Sequence, residues 1–477
     1  MRYGCFFIFF FLIAKLSFAR FDNLKQGFAS FAKDTSYRQA NISFTLLDVK
    51  KGKLLFEQNK NVMLAPASTL KTFTTASALH YLGEDFRYET KVTFKGAIQN
   101  KHAKGILKIY GSGDPSFGSD RFGETKPEAI KKAILDAMRA KGIDAFSGQI
   151  EIVTGLFSDM PINPGWLDED IGNYYGAGVY ALNWKENKFE LNLVPTKTGF
   201  EVSSTNAGYD IKKDFCLELT HKDGATTEEA FAFVEKDKPC MYVIRGVLSK
   251  ETPTHNMQLA RLHPDRDFKQ ELTSYLKREL NMVEEKIEPS GNTEIELTTI
   301  YSPPLKQLVY WCNQKSLNLY AESFCKTISL LKKHNFKTPY VFPRSLADTF
   351  LQGSWLSGIY QMKAFASQLG LNANEIQLLD GSGLAPMNRI TTNVMANLLR
   401  QYTKQSFFST FYESLPSING LRMKSGYIGG TRSYAGYIKL SDSSEACFAF
   451  VVNNYTCSPK QVKLKMFQIL DIVKAEK

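Results

Sequence analysis

From residue 42 the chain alternates apolar and polar positions. Ile42-Ser-Phe-Thr-Leu46, the turn residues Lys51-Gly52 and a second run, Lys53 to Phe56, predict a β-hairpin. The period then changes. Leu70, Phe73, Ala76 and Leu79 recur at helical spacing, Pro66 suits the first turn and Gly83 can close the helix. From about 90 to 250 the apolar runs shorten to 91–94, 106–110, 149–153, 189–194, 231–234 and 241–244, joined by Gly/Asn/Asp turns, which predicts a β-rich block. Helical spacing returns at Phe268, Leu272, Leu276 and Leu280, then around 304–314, 317–334, 354–369 and 391–403. The chain closes with strand-like runs at 421–427, 434–440 and 446–453, then a helix over 459–475 whose Val462, Met466, Ile469 and Ile472 share a face. There is no internal repeat, and the order of elements is that of an α+β protein.

The first 19 residues follow a different pattern. Arg2, an apolar core from Phe6 to Ala14 and the small residues of Ser17-Phe18-Ala19 predict a cleaved secretory signal peptide. The apolar run is roughly half of the ~20 residues a membrane span needs, and no later stretch is more apolar, so no stable membrane span is expected. At 477 residues the chain has room for two or three lobes. Its formal charge of +11, lowered to 57 basic against 48 acidic residues once Arg2 and Lys15 leave, names no anionic partner, and no nucleic acid is expected. Cys5 leaves with the signal segment, so six of the seven cysteines remain, with 15 possible connectivities. Cys216 and Cys240 lie in neighbouring strand-like runs, which makes them a candidate pair in an oxidising compartment.

No CxxC, HExxH or histidine ligand spacing is present, and no GxSxG, Walker loop or GxGxxG, so neither metal nor cofactor is expected. An exported enzyme of this kind must activate its own nucleophile. A serine one helical turn before a lysine does so compactly, because positions i and i+3 share a face. SxxK occurs five times, starting at Ser30, Ser68, Ser274, Ser323 and Ser329; only Ser68-Thr-Leu-Lys71 combines a preceding proline, a helix start and an apolar continuation. A second hydroxyl and an amide are offered by Ser316-Leu-Asn318 at the junction of two predicted helices, although SxN also occurs at Ser204, Ser290 and Ser417. Two segments offer a cation beside a glycine, Lys197-Thr-Gly199 and Lys424-Ser-Gly426. The second is favoured, because it opens the final strands, which can close beside the first helix.

Ser-x-x-Lys, Ser-x-Asn and Lys-Thr/Ser-Gly, in that order, resemble the signature of penicillin-binding proteins and serine β-lactamases. The resemblance is nearest to the class C low-molecular-mass penicillin-binding proteins, the D-alanyl-D-alanine carboxypeptidase/endopeptidase family. It extends through Ala65-Pro-Ala-Ser-Thr-Leu-Lys71, Gly111-Ser-Gly-Asp-Pro115, Tyr175-Gly-Ala-Gly-Val-Tyr-Ala-Leu-Asn183, Ser302-Pro-Pro-Leu305, Ser316-Leu-Asn-Leu-Tyr-Ala-Glu322, Asp380-Gly-Ser-Gly-Leu384 with Asn388-Arg389, and Lys424-Ser-Gly426 with Gly436-Tyr437. It therefore covers most of the mature chain. It implies an antiparallel sheet flanked by helices, with a large β-rich insertion between the first and second motifs. The domains would be a signal peptide at 1–19, a catalytic domain split into 20–88 and 286–477, and an insert at 89–285.

The resemblance also implies a periplasmic serine-type DD-peptidase acting on the stem peptides of peptidoglycan, at D-Ala-D-Ala termini, D-Ala cross-links or both, with β-lactams as inhibitors. Ser68 would form the acyl-enzyme and Lys71 would take its proton. Ser316 would pass a proton to the leaving amine, and Asn318 would hold the substrate amide. Lys424 and Ser425 would bind the terminal carboxylate, and the backbone NH groups of Ser68 and Tyr427 would form the oxyanion hole. Three positions depart from the family pattern: Leu317 replaces an Asp, Ser425 a Thr, and Tyr427 a small hydroxyl residue. Asp380-Gly-Ser-Gly reads either as a structured turn or as a direct participant. A serine β-lactamase is the nearest rival, yet no Glu-x-x-Leu-Asn stands between Ser316 and Lys424; Glu375 has Leu378 followed by Leu379. A catalytically silent wall-binding or β-lactam-sensing protein of the same fold is the rival from another class.

Overall fold

The predicted hairpin, Asn41–Asp48 with Leu54–Gln58, forms one side of a six-stranded antiparallel sheet. Its next strand comes from the far end of the chain. Asn41–Asp48 pairs along its whole length with Glu445–Asn453, which pairs in turn with Thr431–Lys439, then Leu421–Ile428 and the short Ser417–Ile418. The computed structural model describes residues 21–158, 160–206, 208–221, 229–235, 237–288, 294–331 and 352–476, so the expected signal segment and Ser290 lie outside the described residues.

Both faces of this sheet are covered. Phe44 and Leu46 point into a core with Leu24, Phe28 and Phe31 of the helix Asp22–Lys33 and Val462, Met466 and Ile469 of the helix Pro459–Ala475. Phe28 meets Phe44 and Phe450 with ring centroids 5.3 and 5.6 Å away, the tilted or edge-on arrangement aromatic quadrupoles prefer. The alternating polar residues are buried as well, since the Ser43 and Thr45 hydroxyls reach Thr392 Oγ1 at 2.7 and 2.9 Å, at the start of the helix Thr392–Tyr402. The closing helix starts where expected because Pro459 occupies its first turn and Ser458 with Gln461 forms a capping box.

The chain forms two compact units. Residues up to Ser77, Asn313–Ser316 and those from Met362 onward belong to the first, and Ala78–Cys312 with Leu317–Gln361 to the second. The second unit contains a five-stranded mixed sheet ordered Val283–Glu284, Ala145–Val153, His102–Tyr110, Glu89–Gln99 and Glu294–Tyr301. His102–Tyr110 and Ala145–Val153 run parallel, a pairing that needs a crossover, and the helix Pro127–Ala140 supplies it. This helix is an element that the expectation of a β-rich block between 90 and 250 did not include; its Ile130, Ile134 and Met138 pack with Phe94, Leu107, Phe146 and Leu272. Two three-stranded sheets, Glu229–Phe233/Tyr242–Leu248/Phe215–His221 and His255–Ala260/Lys188–Pro195/Phe200–Thr205, enclose a separate core around Phe189, Leu191, Tyr242 and Leu259. Cys216 and Cys240 form a disulfide there.

Candidate active site

Ser68 sits in the single 3₁₀ turn Ala67–Leu70, which runs directly into the helix Lys71–Leu82. Ala67 has φ +46°, a left-handed conformation that costs a residue with a β-carbon roughly 1–2 kcal/mol. Its carbonyl is covered by Gly383 (φ +86°), where a β-carbon would fall 2.0 Å from Ala67 O. The i, i+3 spacing brings Lys71 Nζ to 2.9 Å from Ser68 Oγ, to which it donates; Nζ also donates to the Ser382 carbonyl at 2.8 Å, and Lys71 is fully buried. The other SxxK serines have no such setting: Ser30 lies inside Asp22–Lys33, Ser274 inside Pro264–Leu280, Ser323 inside Asn318–Ile328, and Ser329 caps the end of that last helix.

The carbonyl that holds Lys71 is itself placed by Asp380. The Asp380 carboxylate accepts from Gly383 N at 2.8 Å, Ala385 N at 2.7 Å and Asn388 Nδ2 at 2.8 Å. Thr74 Oγ1 donates to the Gly381 carbonyl at 2.5 Å, tying the same loop to the helix of Lys71. In this structure Asp380-Gly-Ser-Gly is therefore a turn that presents backbone oxygens to Lys71 and Thr74.

Lys424 lies on the strand Leu421–Ile428, and its buried Nζ donates to Ser316 Oγ and to the Ser425 carbonyl, both at 2.9 Å. Ser316 adopts φ +56°, which ends the helix Leu305–Lys315 abruptly. Gly426 faces the same side as Lys424, two residues on. Ser433, opposite Gly426 in the register, donates to the Pro66 carbonyl at 2.5 Å, and Thr69 Oγ1 donates to the same carbonyl at 2.6 Å. These contacts fasten the Ser68 turn to the strand pair. On its other side Leu421–Ile428 pairs with Ser417–Ile418 only at Leu421 and Arg422, so the edge from Lys424 to Ile428 has no strand partner among the described residues. Tyr427 is half exposed on that stretch, with the Arg432 guanidinium 5.6 Å from its ring centroid.

The first unit thus brings Ser68, Lys71, Ser316, Lys424 and Ser425 together. Lys197 instead occupies the turn between Lys188–Pro195 and Phe200–Thr205 in the second unit. Asn318 also belongs to the second unit and opens the helix Asn318–Ile328, with its Nδ2 donating to the Tyr175 carbonyl at 2.7 Å. Leu317 is anchored through its backbone, with N donating to the Cys312 carbonyl at 3.1 Å.

Motif order alone does not show what holds that helix. Tyr320 OH donates to Glu186 Oε1 at 2.9 Å, and Arg121 Nε donates to the same oxygen at 2.6 Å. Burial pushes the Glu186 carboxyl up, but the Arg121 hydrogen bond and the charges of Lys188 and Arg121 outweigh it and hold the group below the ordinary range. Glu186 lies in three successive left-handed residues, Lys185 to Asn187, a strain of order 1–3 kcal/mol each. It is offset by Asn187 Nδ2 donating to Asn183 Oδ1 and Gly178 O at 2.7 and 2.8 Å. Asn183 in turn donates to the Gly113 and Asp114 carbonyls, so the 111–115 and 175–183 motifs form one scaffold. Among the described residues no group of His, Cys, Asp and Glu is arranged to hold a metal ion.

The sequence matches the profile of the D-Ala-D-Ala carboxypeptidase 3 (S13) family over residues 24–474. The chain belongs to that family. It is 21% identical over 454 residues to the D-alanyl-D-alanine carboxypeptidase DacB of Haemophilus influenzae, covering 89% of this chain and 88% of the relative. It is 22% identical over 479 residues to the D-alanyl-D-alanine carboxypeptidase of an Actinomadura species, covering 93% and 83%. The crystal structure of penicillin-binding protein 4 from Haemophilus influenzae superposes with a TM-score of 0.73 at 18% identity, over 92% of this chain and 97% of that one. The same protein has been solved with a β-lactam bound, with a TM-score of 0.68. The resemblance read from the ordered motifs holds, as does the α+β, penicillin-binding-protein-like fold, and membership of the S13 family makes the chain a serine-type DD-carboxypeptidase.

Proposed function

We propose that Ser68 is the nucleophile through which this S13-family enzyme cleaves D-Ala-D-Ala termini, D-Ala cross-links or both in peptidoglycan stem peptides. The observation that carries the reading is the 2.9 Å hydrogen bond between Lys71 Nζ and Ser68 Oγ in a buried setting braced by Gly383 and Gly426. Lys71 in its neutral form removes the Ser68 proton as Oγ attacks the carbonyl. The tetrahedral oxyanion is met by the NH groups of Ser68 and Tyr427. When the C–N bond breaks, Ser316 delivers a proton to the departing amine and takes up the one that Lys71 removed from Ser68, so Lys71 is neutral again for the attack of water and Lys424 keeps its charge. Lys424 and Ser425 receive the terminal carboxylate and Asn318 the substrate amide. Water then attacks the acyl-enzyme and restores Ser68, whereas a β-lactam leaves it acylated.

This reading also places the mature chain in the periplasm after removal of residues 1–19. It treats 89–285 as an insert between catalytic parts 20–88 and 286–477, a division supported by a main sheet that takes strands from both ends of the chain. Among the described residues no helix is long and apolar enough to cross a membrane. The decisive experiment is labelling with a fluorescent penicillin. Ser68→Ala should abolish labelling and release of D-alanine from a pentapeptide while the circular dichroism spectrum is kept; a labelled Ser68→Ala protein overturns the assignment. Rapid turnover of a chromogenic β-lactam by the wild type would transfer the reading to a β-lactamase. Acylation without any release of D-alanine would transfer it to a sensor.

A further inference from the structure

The second unit contains a cavity of about 810 Å³ that the chemistry above does not use, within the ~300–1,000 Å³ range of small-molecule sites. One wall comes from the sheet His255–Ala260/Lys188–Pro195/Phe200–Thr205. Glu190 and Gln258 are register partners there, so their side chains share a face, and Asn206 Oδ1 accepts from Glu190 N at 2.9 Å beside them. Trp311 also lines the cavity, with the Arg121 guanidinium 5.1 Å from its ring centroid.

Several of the charges around it are paired, while Asp120, Lys126 and Glu190 line it without an ion pair among the described residues. Arg121 and Lys188 are paired with Glu186, Lys185 with Glu271, and Arg261 with Asp267. What remains on offer is two carboxylates, one ammonium and the amides of Asn206 and Gln258 beside an aromatic ring, a mixed donor and acceptor set that suits the hydroxyl and acetamido groups of a neutral sugar better than a single point charge. One buried donor beside it is also unmatched. Arg261 lines the cavity and is 1% exposed, yet its Nε has no acceptor among the described residues. A buried donor left unmatched is costly, so a ligand that shifts the Arg261 side chain enough to offer it an oxygen is favoured.

We propose that this cavity binds the N-acetylated amino-sugar backbone of the glycan strand, so that the second unit grips the polymer whose peptides the enzyme cleaves. The proposal rests on peptidoglycan being the substrate. The test uses full-length Ser68→Ala protein titrated with a β-1,4-linked N-acetylglucosamine tetrasaccharide, with inorganic phosphate and free pentapeptide as the other arms, followed by protein NMR or calorimetry. Saturable saccharide binding, weakened at least fivefold by Gln258→Ala and by Trp311→Ala, is the expected result. In the Ser68-containing background, Gln258→Ala should also lower the ratio of kcat/KM for glycan-linked over free pentapeptide. No saturation by the saccharide overturns the proposal, and so does saturation by phosphate or free pentapeptide alone. The two readings fail separately: a negative titration beside normal D-alanine release sinks only this one, and penicillin labelling of Ser68→Ala sinks only the assignment of Ser68.

Discussion

A β-carbon on Gly426 would lie 2.9 Å from the amide nitrogen of Ser68, so the Lys-Ser-Gly strand and the Ser68 turn are in direct backbone contact. The same carbon would lie 2.8 Å from the Pro66 carbonyl and 2.2 Å from Ser433 Oγ. Gly426→Ala must therefore displace the strand or the turn, at a cost of about 1–3 kcal/mol for an overpacked contact. Because a 1 Å misplacement of a reacting group can cost about 10²-fold, the rate of acylation by penicillin should fall by about that factor while the protein stays folded. Stopped-time labelling beside a thermal melt checks both, and an unchanged acylation rate would mean that this contact does not set the position of Ser68.

Asp380 organises the loop beneath Lys71. Asp380→Ala leaves the amides of Gly383 and Ala385 and the Asn388 side chain without their acceptor. With a penalty of about 1–3 kcal/mol for each buried group left unmatched, a total loss of about 3–5 kcal/mol is expected after relaxation. The melting temperature should drop and acylation should slow, since the Ser382 carbonyl no longer fixes Lys71. A full-rate enzyme with a lowered melting temperature would confine Asp380 to a role in stability.

Asp114 should make stability depend on pH. Burial pushes its carboxyl up to about 6, against the opposing pull of Ser116, whose N and Oγ both donate to Asp114 Oδ1. Between about pH 4 and 6 the folded chain keeps a proton that the unfolded chain has lost, so stability falls as pH rises through that window. Asp114→Asn retains the Oδ1 acceptor without the charge. It should be more stable than wild type at pH 7.5 by about 1–3 kcal/mol, with the difference vanishing below about pH 4. Parallel melting curves at several pH values test this, and a constant offset would contradict it.

The Cys216–Cys240 bridge spans 24 residues of sequence. Closing a loop of that size stabilises by about 3 kcal/mol in the chain-entropy view. Alkylation of the denatured protein without reductant should leave these two cysteines unmodified and their peptides linked. The double Cys→Ser variant should melt earlier. Recovery of both cysteines in alkylated form would rule the bridge out.

Local patterning carried the elements whose stability is local. The hairpin, the helix after Pro66 and the final three strands were legible because one residue period dominates each. The burial of Ser43 and Thr45 was not, since their partner Thr392 lies more than 300 residues away in sequence. The crossover helix Pro127–Ala140 was lost among strand signals, although Ile130, Ile134 and Met138 carry its spacing. In the site, Pro66 and the helix start were enough to choose Ser68 among five SxxK serines. The buried bracing by Ser382, Gly426 and Ser433, and the hold of Glu186 on Tyr320, are tertiary and leave no periodic trace; only strand register, by setting Ser433 opposite Gly426, would have pointed to part of it.

The pairing of Asn41–Asp48 with Glu445–Asn453 fixes an order of events in synthesis. Until the last strand emerges, the strand ahead of Ser68 has no central neighbour, and Lys424 and Ser433 are still to come. Such long-range closure slows folding, because chain entropy is lost before the contacts repay it. A growing chain therefore carries the serine long before it can be reactive, and a chain cut short before residue 445 should be unable to form covalent adducts. Activity therefore waits for the segment that carries Glu445–Asn453.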